Sequence, residues 1–416
     1  MDLVQDLKAR GLVEHHSAEL ETIFSKKRTV YLGVDPTADS MHVGHLVPLL
    51  VMKRLAADGH KIILLAGGGT GMIGDPKEKG ERQLQDIKVI DQNKKAFRQQ
   101  FQNIVGTRVA LVDNADWLRK VKLLEFLRDI GKHFTVNELI KRDTIKRRLD
   151  TPDESISYTE FTYSLLQAYD YMVLNEKYGC DLQIGGSDQW TNILSGVELI
   201  RKKAGREVFA FTCPLVTDSA GKKFGKSEGN AVWLDAKKTS PFAFYQFWLN
   251  LPDEGIEKYF KFYTFMQLIE IDALVELHRR NPGKREAQKM LAAQVTELVH
   301  GKAAARSAAI VSDVLFGNRS FSELSKEEES MLVTEAPALR ISPQRFLTGF
   351  TISNALVESQ LASSKGDARR LIEGNAVSLN GEVIDSPDLA LSMTHFSGNL
   401  ALLRRGKQVV VLVIEK

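Results

Sequence analysis

The chain has 416 residues, 43% hydrophobic and 26% charged, and its 56 basic and 53 acidic side chains leave a formal net charge of +3. At about 150 residues per domain this fits a globular chain of two to three domains, excludes a disordered one, and carries no charge signature of a nucleic-acid binder. The longest apolar runs, 46–52 and 409–414, fall far short of a membrane span, the acidic N-terminus is no secretory signal, and two cysteines, Cys180 and Cys213, build neither a zinc ribbon nor a disulfide framework. The expectation is a cytoplasmic protein with no membrane segment and no structural metal.

Thr29–Val34 predicts a strand, followed by a turn-rich stretch and a helix through Leu49, Leu50, Lys53 and Leu55. Proline is tolerated only in a helix's first turn, so Pro48 puts the helix start near His45. Lys61–Ala66 reads as a second strand, trailed by Gly67, Gly68, Gly69, Gly71 and Gly74. Residues 109–112 and 181–184 read as further strands, each leading into a helix. This alternation predicts an α/β domain with a parallel sheet. Residues 114–180 are mostly helical in pattern and too long for a simple crossover, so they read as an insertion. The pattern is helical over 241–339. After Ile341, helix signals at 352–358 and 367–373 precede strand-turn units with Gly374-Asn375, Asn380-Gly381 and Arg405-Gly406-Lys407 at the turns.

Two glycine loops are decoys. Gly69-Thr70-Gly71-Met72-Ile73-Gly74 matches a dinucleotide fingerprint, but Asp75-Pro76 and a polar, broken segment follow where an apolar helix should run. It also does not stand in the first βα unit, where that fingerprint belongs. The segment ending Gly225-Lys226-Ser227 has Ala220 where a phosphate loop needs glycine.

His42-Val43-Gly44-His45 falls at the start of the first crossover helix, where free N–H groups and the helix dipole attract phosphate. Alone, the pair reads as two surface histidines. About 180 residues on, after a strand read as ending in Pro214-Leu215-Val216-Thr217, stands Lys223-Phe224-Gly225-Lys226-Ser227. Two lysines in a glycine-flanked loop can meet the charge that develops as pyrophosphate leaves. On the helix of the insertion, Tyr163, Gln167 and Asp170 share one face at i, i+4 and i+7.

The first two segments resemble the HIGH and KMSKS motifs of class I aminoacyl-tRNA synthetases, and the third resembles the YxxxQxxD helix of the tyrosyl members. The resemblance extends to Gly185-Gly186-Ser187-Asp188-Gln189-Trp190 and to residues 71–76, and it spans nearly the whole chain. It implies a Rossmann-like catalytic domain over 1–232, with the insertion at 114–180 forming a homodimer interface. An α-helical anticodon-side domain would follow over 233–340, then an S4-like RNA-binding domain over 341–416. The substrates implied are L-tyrosine, ATP with Mg2+, and tRNA(Tyr).

The same resemblance implies residue roles. Tyr31 and Asp170 would hold the phenol hydroxyl. Asp75, Tyr163 and Gln167 would take the ammonium group, with Gln189 near the carboxylate. Gly186 and Asp188 would meet the ribose, while Gly33, Asp35, Thr37 and Gly44 line the nucleotide side. His42, His45, Lys79, Arg82, Lys223 and Lys226 would stabilise the phosphates, with Thr37 beside them. Residues 364–381 resemble the S4 module, with Lys365, Arg369 and Arg370 offered to RNA phosphates. The run Lys141, Arg142, Lys146, Arg147 and Arg148 follows a capping box at Thr135 and Glu138 and reads as a solvated helix face. In the family such residues approach the acceptor stem.

Overall fold

The computed structural model describes residues 2–76, 80, 86–217, 224, 226–227, 230–317, 319–320 and 324–415. The chain forms two compact units, one of Met1–Thr239 with Asp253–Arg279, the other of Ser240–Pro252 with Arg280–Lys416.

The first unit is built on β1 (His15–His16), β2 (Thr29–Val34), β3 (Lys61–Ala66), β4 (Ala110–Asp113), β5 (Leu182–Gly186) and β6 (Phe209–Cys213), with a short hairpin of β7 (Lys226–Ser227) and β8 (Asn230–Ala231). The sheet order is β1-β6-β5-β2-β3-β4. Only β1 runs antiparallel to its neighbour; Val30 pairs with Ile62 on one side and Leu182 on the other. The chain thus winds outward from β2 through β3 to β4, then returns to lay β5 and β6 on the opposite side. That reversal opens a crevice at the carboxyl ends of β2 and β5, the usual ligand site of such sheets.

The strands read as unbroken apolar runs because helices Leu46–Ala57, Ile87–Val105, Tyr158–Tyr178 and Trp190–Ala204 accompany them. Pro48 lies in the first turn of Leu46–Ala57, which a single 3-10 turn, Val43–His45, precedes. The strand before the lysine loop ends at Cys213 rather than at Thr217; Pro214 has no N–H to extend the ladder. Residues 253–279 join this unit through two buried arginines that share Asp6. Arg54 donates to the Thr264 carbonyl at 2.6 Å and its guanidinium lies 4.3 Å from the Phe265 ring centre, while Arg10 reaches the same carbonyl at 3.4 Å.

Within the insertion the basic run divides. Lys141, Lys146 and Arg147 are exposed, whereas Arg142 is half-buried and Arg148 buried. Arg148 donates to Glu160 at 2.8 Å, to the Ser155 carbonyl, and at 3.3 Å to the Gly80 carbonyl. A solvated face is therefore the wrong description for these two residues; they are internal struts.

In the second unit β9 (Ala338–Ile341), β10 (Val377–Leu379), β11 (Glu382–Val383), β12 (Leu400–Arg405) and β13 (Gln408–Ile414) form a sheet ordered β11-β10-β12-β13-β9. Alternate residues of its central strands feed two cores. Ala401, Leu403, Val410, Leu412 and Ile414 pack with Ile352, Leu356 and Ile372. Leu400, Leu402, Val411 and Val413 pack with Val311, Val314, Leu315 and Leu332 of helices Lys302–Phe316 and Lys326–Glu335. Burial on both faces explains the apolar run at 409–414. The boundary read at 340/341 falls inside β9, and helices and sheet on either side of it share one core.

The Arg148–Glu160 pair is almost fully enclosed, and removing one partner of such a pair strands the other charge. Arg148→Met should cost about 3 kcal/mol or more in urea unfolding, and adding Glu160→Gln should recover part of that loss. Equal stability of parent and Arg148→Met would contradict the internal role.

Candidate active site

The site residues descend from the carboxyl ends of successive strands. β2 leads into Asp35 and Thr37, β3 into the glycine turn, β4 into Asn114, and β5 into Gly186, Asp188 and Gln189. Helix Tyr158–Tyr178 presents Tyr163, Gln167 and Asp170 toward the same crevice; Tyr163 and Asp170 are buried and Gln167 half-buried. The polar stripe therefore faces inward. Gly33, Thr37, Gly44 and Asp188 stand at the exposed rim.

Asp170 lies at the bottom. Its two carboxylate oxygens accept from Asn114 Nδ2 at 2.8 Å and Trp117 Nε1 at 2.7 Å. Burial pushes its carboxyl up to about 8 against the pull of these two donors, and the charges of Asp35 and Asp113 add to the rise. Tyr31 is fully buried on β2, and its hydroxyl has no hydrogen-bond partner among the described residues. Burial, then Tyr171, then the charge of Asp170 push that hydroxyl well above its ordinary range. A buried orphan hydroxyl beside a buried carboxyl fits a ligand group that can donate to one and accept from the other.

Nearer the mouth, Tyr163 donates to Asp35 at 2.8 Å, and Thr70 donates to the other Asp35 oxygen at 2.7 Å. Asp75 accepts from Gln189 Nε2 at 2.8 Å and from Asn192 Nδ2 at 3.0 Å. The glycine turn has a packing explanation. A Cβ on Gly67 would collide with Asp35 Oδ1, and one on Gly68 with Asp113 Oδ1. Only a 3-10 turn, Thr70–Met72, follows, and among the described residues no dinucleotide helix stands before the helix that begins at Ile87.

The histidine pair is bound by main chain to residues 232–234, which directly follow the lysine hairpin. Val43 N donates to the Val232 carbonyl at 2.9 Å, Leu234 N donates to the Met41 carbonyl at 2.9 Å, and His42 bridges to Trp233. His42 Nδ1 accepts from Gly44 N at 3.0 Å, and the His42 and His45 rings lie 4.1 Å apart. A Cβ built on Gly44 would come within 3.5 Å of the Phe224 carbonyl, so the two motifs adjoin. Phe224 itself is buried and stacks on Tyr259 at 5.1 Å and Tyr263 at 5.9 Å. Lys226 lies in β7; Lys79, Arg82, Lys223 and Gly225 lie outside the described residues.

Lys365, Arg369 and Arg370 are exposed on helix Lys365–Glu373 of the second unit, with Arg369 close to Glu373 and Asp388 and Arg370 to Asp367. Sequence reasoning missed Asn114, Trp117, Thr70 and Asn192. The position of Asn114 directly after a strand's carboxyl end was the available signal; Trp117 and Asn192 offered none. Among the described residues no group of three or more His, Cys, Asp or Glu could hold a metal ion, and no helix is long and apolar enough to cross a membrane.

The raised folded-state value of Asp170 has a definite sign for stability. Between the unfolded carboxyl value near 3.9 and about 8, the native chain holds a proton that the unfolded chain has lost. The stability this group contributes is complete below pH ~4 and is lost as pH rises to about 8. The Tm of the parent minus that of Asp170→Asn should therefore fall by about 5 °C or more across this window and then flatten. A pH-independent difference would contradict the assignment.

Comparison with known proteins gives a consistent picture. Residues 25–317 match the model of the class I tRNA synthetases (W and Y), and 331–413 match the tyrosine–tRNA ligase SYY-like C-terminal domain. The chain is 43% identical to tyrosine–tRNA ligase 1 of Vibrio parahaemolyticus, over 99% of this chain and 98% of that one. It is 44% identical to the tyrosine–tRNA ligase of Chromobacterium violaceum, with the same shares covered. Among solved structures, a C-terminally truncated mitochondrial tyrosyl-tRNA synthetase of Aspergillus nidulans is similar at a TM-score of 0.68 and 33% identity, over 76% of this chain and 94% of that one.

Proposed function

This chain belongs to the class I tRNA synthetases of the tryptophan and tyrosine group, and we propose that it activates L-tyrosine with ATP and charges tRNA(Tyr). The observation that carries the reading is the main-chain pairing of residues 41–43 with 232–234. It sets the histidine pair and the lysine hairpin together at the mouth of a crevice whose floor is Tyr31 and Asp170.

In the first step a tyrosine carboxylate oxygen attacks the α-phosphorus of ATP. A bond to phosphorus forms, the bond to the β-phosphate oxygen breaks, and pyrophosphate leaves with both bonding electrons. In the second, a hydroxyl of the 3′-terminal adenosine attacks the carbonyl carbon of tyrosyl-adenylate and AMP departs. No covalent enzyme intermediate is needed; the protein positions reactants and neutralises charge.

Tyr31 and Asp170 take the phenol hydroxyl. Asp75, Tyr163 and Gln167 take the ammonium, with Gln189 near the carboxylate. Asp35 holds Tyr163 in place and lines the nucleotide side with Gly33, Thr37 and Gly44, while Gly186 and Asp188 meet the ribose. The task of neutralising the phosphates falls to His42, His45, Lys79, Arg82, Lys223 and Lys226, and Mg2+ enters on ATP. A homodimer is supported by apolar side chains left bare on the insertion, Leu123, Leu124 and Val136 at 70%, 80% and 61% exposure. A cytoplasmic setting accords with two buried free cysteines.

The specificity test uses pyrophosphate exchange with tyrosine, phenylalanine and tryptophan. Tyrosine should dominate, because phenylalanine leaves the buried Tyr31 hydroxyl unpaired at about 1–3 kcal/mol and forfeits the bond to Asp170; strong discrimination of this kind is a known property of the tyrosyl-tRNA synthetases. Tyr31→Phe should lower the tyrosine-to-phenylalanine ratio of kcat/KM by about tenfold. An unchanged ratio removes Tyr31 from the hydroxyl pocket, and faster exchange with tryptophan overturns the substrate.

For RNA, deleting the C-terminal sheet is a poor test, since it would bare Val311, Val314 and Leu332. The triple variant Lys365→Ala, Arg369→Ala, Arg370→Ala leaves that core intact. It should raise the KM for tRNA(Tyr) about tenfold at moderate salt while exchange stays unchanged. An unaltered KM would remove these residues from the RNA surface.

A further inference from the structure

Arg142 has no task in the reading above, although the fold encloses it at the edge of the proposed tyrosine site. It is half-buried just before helix Asp143–Asp150, and burial lowers its guanidinium to about 10. Among the described residues its guanidinium donates to two neutral side chains on helix Trp190–Ala204. Nη1 donates to Asn192 Oδ1 at 3.2 Å, and Nη2 donates to Ser195 Oγ at 2.5 Å. The Ser195 hydroxyl gives its own proton to the Thr191 carbonyl, so it is free to accept from Arg142.

A carboxamide has one accepting and one donating end, and a guanidinium can only donate. Arg142 therefore claims the oxygen of Asn192 and turns its Nδ2 the other way. That nitrogen donates to Asp75 Oδ1 at 3.0 Å and to Gln189 Oε1 at 3.2 Å. With its own oxygen so occupied, Gln189 directs Nε2 at Asp75 Oδ2, 2.8 Å away. The polarity runs one way through the chain, from Arg142 to Asn192, then to Gln189 and Asp75. Reversing Asn192 would set its oxygen against the Asp75 carboxylate.

We infer that Arg142 is a positioning residue for tyrosine activation: by fixing the orientation of Asn192 and hence of Gln189, it sets Asp75 and Gln189 to receive the ammonium and carboxylate of the amino acid. The inference rests on the roles proposed for those two residues. It places an arginine from the basic run in the amino-acid site, a task separate from any RNA contact of Lys141, Lys146 or Arg147.

Charge alone predicts the opposite sign. A cation near the ammonium site repels the substrate, so removing it would tighten tyrosine binding, whereas losing the positioning weakens it. Tyrosine affinity without ATP, the KM values for tyrosine and ATP, and Tm are measured on the full chain for Arg142→Met, Arg142→Lys, Asn192→Leu and the double variant Arg142→Met/Asn192→Leu. Arg142→Met should weaken tyrosine about tenfold, with the KM for ATP unchanged. Arg142→Lys, which can still donate to the Asn192 oxygen, should keep most of the affinity. In the Asn192→Leu background, Arg142→Met should change tyrosine affinity less than about twofold, because no amide remains to orient. Unchanged or tighter tyrosine binding by Arg142→Met overturns the inference, as does an equal loss in both backgrounds or a loss of ATP affinity in step with a lowered Tm. Absence of tyrosine binding by the parent would instead overturn the reading of the site.

Discussion

The order of the first sheet constrains everything else in the site. Because the chain winds one way from β2 to β3 and β4 and the other way to β5 and β6, the loops after β2 and β5 part from each other. The strand ends deliver Asp35, Asn114 and Gln189 into one crevice from positions far apart in sequence. No local motif encodes that convergence; it follows from parallel pairing and the hand of the crossovers.

Convergence brings an electrostatic cost. The charges of Asp35 and Asp113 help to hold the buried Asp170 carboxyl protonated, and Tyr163 feels Asp35, Asp75 and Asp170. The described neighbours meet much of this charge with neutral donors: Asn114 and Trp117 on Asp170, Tyr163 and Thr70 on Asp35, Gln189 and Asn192 on Asp75. Lys94 ties Asp113 from helix Ile87–Val105. Neutral donors fix the geometry of a carboxylate without cancelling its charge. The crevice keeps an appetite for a cation such as a substrate ammonium, and native stability is lower than complete pairing would give.

What could be read from the sequence was what is local. The strands at 29–34 and 61–66, the helix start set by Pro48, and the stripe of Tyr163, Gln167 and Asp170 follow from periodicity and turn chemistry within a short window. The direction of that stripe did not follow. A helix buried on several sides shows no polar face to solvent, and Leu165, Ala168 and Met172 are as enclosed as Tyr163. The run from Lys141 to Arg148 misled for a related reason: buried arginines have the same letters as solvated ones, and their partners Glu160 and Asn192 come from other helices. The shared core of the second unit was hidden because strands covered on both faces lose the alternation that would tell one face from the other.

The lysine hairpin shows how apolar packing can place charge. Where the general class motif has methionine and serine, this chain has Phe224 and Gly225. Phe224 N donates to the Val216 carbonyl at 2.8 Å, and its ring is buried against Tyr259 and Tyr263 of helix Ile256–Tyr263. Burying such a ring is worth about 1.5–3 kcal/mol, more than the median exposed ion pair contributes. One aromatic residue thus anchors the lysine segment at Phe224 by apolar packing alone. This also gives residues 253–279 a reason to pack with the first unit although the sequence reads them as part of a helical domain. The helix that receives Phe224 belongs with the sheet whose crevice the lysines serve in the proposed reaction, and the buried arginines Arg10 and Arg54 hold its carboxyl end through the Thr264 carbonyl.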